Sequence, residues 1–180
     1  MQELTSIIKG ATAGIGRDYF LLRIDGGDSI YRERIYCYEL YHQMRLRWPD
    51  NTKFYINGEI DKAAHPILRK LGADYAKPDL LIHKPGYMKG NHAIIEVKSA
   101  GANTKGIRKD LTTLSLYRSK VGYQRAIYLV YGYEANVAAE RIIRMANESH
   151  KLATIELWLH QKPGEPASFH SLIPSHAQFT

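Results

Sequence analysis

The chain has 180 residues, 44% apolar and 24% charged, the balance of one folded domain with a real core. Its longest apolar run, AIYLVYGY at 126–133, is too short to cross a bilayer, and its one cysteine, Cys37, excludes an internal disulfide or a cysteine-built zinc site. A net charge of +7 favours polyanionic partners, although a basic surface also serves solubility.

The opening MQELTSIIKG carries an acid and no long apolar stretch, so it does not read as a secretory signal, and a cytoplasmic setting is expected. Residues 1–28 read as irregular, with short strands at 4–8 and 19–24. GATAGIG at 10–16 fits the G-x-x-x-G-x-G turn of short-chain dehydrogenases. The segment after it is short and ends in two glycines, and no tyrosine has a lysine four residues later. The stretch therefore reads as a flexible loop. Asp28 or Ser29 can cap a helix running to about Arg47, with Ile30, Cys37, Leu40, Tyr41, Met44 and Trp48 at helical spacing. KFYINGEI at 53–60 alternates as a strand, and 61–77 reads as a linking loop with at most one helical turn.

KPDLLIHKPGYMKGNHAIIEVKSA at 77–100 reads as a β-hairpin over 79–98. A helix is expected at 104–120, ended by Gly122. It is followed by a buried strand at 125–132, a helix at 134–149 and a strand at 154–161. The last twenty residues hold three prolines and read as a tail or arm. The order predicts a single α/β domain over 1–180, with a mixed sheet between helices.

The hairpin puts Asp79 at the head of one arm and Glu96 and Lys98 at the end of the other. Glu96 and Lys98 share a face, with Ile95 and Val97 pointing the other way into the core. Asp79 joins them if it pairs with either, and leaves them if it pairs with Val97; the sequence does not fix that register. Two carboxylates and a lysine on one face suit a magnesium ion, with the lysine orienting or deprotonating the attacking water. The plain alternative is a solvated salt bridge at a strand end.

Pro78-Asp79, sixteen residues and then Glu96-Val97-Lys98 resemble the PD-(D/E)xK signature of restriction-endonuclease-like nucleases. The context agrees over residues 29–132: a helix, three strands, then a helix and a strand. The resemblance implies a restriction-endonuclease-like core and phosphodiester hydrolysis with magnesium or manganese, with Asp79 and Glu96 as metal ligands and Lys98 as catalytic lysine. DNA is the expected substrate, with RNA as an alternative. A non-catalytic nucleic-acid-binding subunit of the same fold is the rival reading. No separate DNA-reading module is visible, so recognition is expected to rest on DNA structure, a partner or a homodimer.

Family members often add a glutamate from the first helix. At about 100° per residue, Glu33 lies within the apolar stripe, whereas Glu39 falls nearly opposite. Glu33 is therefore the expected further site acid, catalytic or metal-binding, and Glu39 the weaker candidate. Glu59 is another candidate metal ligand, and Asp61 is assigned to the turn after its strand. Lys105, Arg108 and Lys109 open the helix after the ExK strand, where positive charge opposes the helix dipole and favours phosphate. His42, His65, His83 and His92 share no ligand spacing and read as surface or satisfied core residues.

Overall fold

The structure is a computed structural model that describes residues 3–59, 66–73, 75–149 and 152–173. Asp61, His65 and the end of the expected tail lie outside the described residues. Three helical segments come first, α1 (Leu4–Ala13), α2 (Arg17–Phe20) and α3 (Glu33–Leu46), followed by β1 (Tyr55–Gly58) and α4 (Pro66–Lys70). Next come β2 (Leu80–His83), β3 (Asn91–Ser99), α5 (Thr104–Leu116), β4 (Arg125–Tyr131), α6 (Ala135–Asn147), β5 (Ile155–His160) and β6 (Ser168–Ile173). The fold is α/β, and its six strands form one mixed sheet in the order β1-β2-β3-β4-β5-β6.

The hairpin occupies the middle of that sheet. β2 runs antiparallel to β1 and β3, whereas β3, β4 and β5 are mutually parallel and β6 returns antiparallel. Parallel neighbours need crossovers, and consecutive crossovers of one hand place their helices on one face. α5 and α6 accordingly cover the face carrying Leu81, Ile94, Tyr128, Val130 and Leu157. The opposite face, with Ile82, Ile95, Val97, Leu129 and Trp158, is covered by α1, α2 and α3. With both faces covered, β3 and β4 are buried along nearly their whole length, hence their near-continuous apolar runs.

Several sequence expectations change. Residues 4–8 form α1, not a strand: Leu4, Ile7, Ile8 and Ala11 recur at helical spacing and are buried. Residues 17–20 make a helical turn, and the expected strand at 19–24 shrinks to a single bridge between Leu22 and Ile30. The GATAGIG stretch is the end of α1, capped at Gly14, so it does not form the strand-to-helix turn that cradles a pyrophosphate. α3 starts at Glu33 without a side-chain cap, rather than from Asp28 or Ser29, because Ile30 is still held in the bridge to Leu22. At the other end, the expected tail contains β6, an edge strand laid against β5.

The later boundaries agree closely with the sequence. α5 passes into a π-helical turn over Tyr117–Val121 and stops at Gly122, whose φ of 83° is a left-handed cap that favours glycine.

Candidate active site

Leu80 pairs with Ile95, so one step along the antiparallel ladder Asp79 stands opposite Glu96. That is the register in which Asp79 joins Glu96 and Lys98 on the α5 side of the sheet. The Asp79 and Glu96 carboxyl groups are hydrogen-bonded to each other. Asp79 Oδ2 also accepts the Val97 N–H at 2.7 Å, which ties the head of β2 to β3.

This pair is poor in compensating charge. Glu96 is 6% exposed, and burial, followed by the charges of Asp79 and Asp110, raises its pKa well above the carboxylate range. Burial likewise pushes the Asp79 carboxyl up to about 6, against the Val97 and Glu96 hydrogen bonds that pull it down.

Lys98 is the cation that lowers both pKa values, and it is shared with two further acids. Its Nζ lies 2.9 Å from Asp110 Oδ2 and 3.1 Å from Glu33 Oε2. Burial disfavours the ammonium, but Asp110 and Glu33 together outweigh it and raise the lysine pKa. Lys98 is therefore held charged, as a hydrogen-bond donor and not a free base. Its ammonium lies beneath the first turn of α5, where a Cβ at Gly106 would come within 3.8 Å of Nζ.

Glu33 reaches the site from the first turn of α3. Its Oε1 accepts both the backbone N–H and the hydroxyl of Ser99, each at 3.1 Å, while Oε2 takes Lys98. The structure thus brings Glu33 to Lys98 and Ser99, as a brace on the end of β3, with both oxygens engaged. Glu39 is turned away and accepts from Gln43 on its own helix at 2.7 Å. Glu59 hydrogen-bonds through its N–H to the Asp79 carbonyl, yet its side chain is exposed and lies 4.0 Å from Arg34. Lys105, Arg108 and Lys109 are exposed along the start of α5, whereas Asp110 on the same helix is buried. His83 pairs with Asn57, and His92 with Gln124.

Sequence reasoning missed Asp110. The signal was present: Ile107, Asp110, Leu111 and Leu114 share one helical face, and three of them are apolar. The basic residues around Asp110 masked it as part of a solvated stretch.

Among the described residues, no group of three or more His, Cys, Asp or Glu side chains is arranged to hold a metal ion. A magnesium ion needs only one or two carboxylates, the remaining ligands being water and substrate. The Asp79–Glu96 pair, half-buried at Asp79 and buried at Glu96, fits that demand, because a divalent cation would add to the positive charge that the pair draws from Lys98. No helix among the described residues is long and apolar enough to cross a membrane. No protein-family model, no curated protein and no solved structure matches the chain.

Proposed function

We propose that this protein is a metal-dependent nuclease of the PD-(D/E)xK, restriction-endonuclease-like kind, hydrolysing phosphodiester bonds in DNA. The observation that carries the reading is the charge inventory of the site. Four carboxyl groups, Glu33, Asp79, Glu96 and Asp110, gather around the cation Lys98 in a chain whose net charge is +7. A scaffold has little use for two buried and two half-buried carboxyl groups around a single lysine, because carboxylates withdrawn from water without a matching cation are costly. A polyanion-cleaving enzyme does: basic side chains hold the phosphates outside, and the acids take a cation inside.

Asp79 and Glu96 would hold the magnesium or manganese, which when bound neutralises phosphate charge and acidifies a water. Lys98 donates hydrogen bonds to the attacking water or to the phosphate oxygen on which charge builds. Water forms the new P–O bond, the bond to the leaving oxygen breaks, and that oxygen takes up a proton. Glu33 keeps Lys98 and Ser99 in place, and Lys105, Arg108 and Lys109 contact flanking phosphates.

The test is incubation with supercoiled, linear and branched DNA, and with RNA, in magnesium, in manganese and in EDTA. Metal-dependent cleavage that falls by about 10²-fold or more in Lys98→Ala supports the proposal. Binding without cleavage in either metal would favour the non-catalytic subunit, and absence of binding at low salt would sink both readings.

A further inference from the structure

We propose that Asp110, backed by Tyr128, is a positioning residue that fixes the direction of the Lys98 ammonium; its catalytic consequence rests on the nuclease reading. Asp110 is 3% exposed on a helix whose neighbouring Lys105, Arg108 and Lys109 all face solvent. Its Oδ2 lies 2.9 Å from Lys98 Nζ and accepts the Tyr128 hydroxyl at 3.1 Å. Tyr128 is the parallel-strand partner of Glu96, so the chain Tyr128–Asp110–Lys98 leads from the floor of the site to its lysine.

The geometry gives this contact a directional role. A lysine ammonium is a rotating point charge on a flexible stem with three donors. Glu33 alone would leave it free to turn about one hydrogen bond. Glu33 from α3 and Asp110 from α5 together engage two donors from different elements, and tetrahedral geometry then fixes the third. A stabilising role is the weaker explanation, since buried ion pairs gain little over apolar replacements.

Asp110→Asn keeps the shape and removes the charge; Tyr128→Phe removes the brace behind it. Single-turnover cleavage by Asp110→Asn should fall about tenfold or more, with DNA affinity in EDTA unchanged within about twofold. Tyr128→Phe should show a smaller loss of the same kind. In a Lys98→Ala background, Asp110→Asn should cost nothing further, because its effect passes through the lysine. A merely structural acid would lower both backgrounds alike, and that additivity, or Asp110→Asn cleaving at the parental rate, would overturn the proposal.

A second measurement is independent of cleavage. Acetic anhydride labelling of the metal-free, DNA-free protein, read by mass spectrometry with exposed Lys105 as reference, should modify Lys98 several-fold faster in Asp110→Asn and in Tyr128→Phe. Unchanged labelling would overturn the positioning role even in an active enzyme. If the parent cleaves no nucleic acid, the nuclease reading falls while the labelling still decides the positioning. If Asp110→Asn does not fold, Tyr128→Phe carries both tests.

Discussion

Replacing a proposed metal ligand should make the metal-free protein more stable. Asp79→Asn preserves shape and hydrogen bonding: the amide oxygen can accept from Val97 N–H, and the amide nitrogen can donate to Glu96. The charge it removes stands in a place that disfavours charge. The folded-state pKa of Asp79 rises from 3.8 to about 6, and a tenfold change in acidity is worth about 1.4 kcal/mol, so ionised Asp79 costs the fold about 3 kcal/mol. Below about pH 4 the carboxyl is protonated in the folded state and the cost is absent. The cost grows as pH rises, and is nearly complete above the folded pKa. Asp79→Asn should therefore exceed the parent by about 3 kcal/mol at pH 7.5 and by about half that at pH 5. For a chain of this size the larger figure is about 6–12 °C in Tm. Urea and thermal denaturation in EDTA, followed by circular dichroism across pH 5–8, measure the gap. A gap that ignores pH, or a variant less stable than the parent at pH 7.5, would refute the claim of a charge-starved carboxylate pair.

Three further outcomes are expected. Lys98→Ala should lower single-turnover cleavage in magnesium by about 10²-fold or more, the scale of a lost electrostatic group, while fluorescence anisotropy in EDTA finds DNA binding little changed. Replacing Lys105, Arg108 and Lys109 together by alanine should weaken binding at low salt. It should also flatten the slope of log K against log salt by about 0.9 for each phosphate that is no longer neutralised, and an unchanged slope would remove α5 from the interface. Thr12→Val should destabilise the protein by about 1–3 kcal/mol in urea titrations, because the buried Ala167 N–H loses its acceptor at 2.8 Å.

The middle of the fold was legible because its burial leaves unambiguous patterns. β3 and β4 are apolar runs of strand length, α5 and α6 carry apolar stripes, and Gly122 marks a stop that the backbone needs. The ends were less legible. LTSIIKGATA mixes β-branched residues and glycine, which lower helix propensity, so its helical spacing was overridden by composition although tertiary burial of Leu4, Ile7 and Ile8 decides the matter. SFHSLI was hidden by the prolines before it, which end a loop and not the domain. In the site, period-2 alternation placed Glu96 and Lys98 together, and the helical stripe selected Glu33 over Glu39. The Asp79 register was not legible, because a one-residue slip reverses its face and only the ladder geometry chooses. Asp110 obeyed the rule that found Glu33, and went unread because adjacent positive charge resembled a solvent face.

The contacts that close α1 span nearly the whole chain. Ala167 donates to Thr12 Oγ1 across a separation of 155 residues, and Gly164 donates to the Ile15 carbonyl beside it. The equilibrium penalty for joining such distant segments is mild, since each doubling of a loop costs only about 0.6 kcal/mol. The order of events is another matter. On the ribosome α1 is made early, but the residues that complete its seat are translated after every element of the site. A nascent chain halted before Gly164 can already contain Asp79, Glu96, Lys98 and Asp110, yet the turn of helix around Thr12 still lacks its cover. Such an arrested chain offers apolar surface to chaperones and proteases, so quality control would act on an intermediate whose proposed site is already complete in sequence.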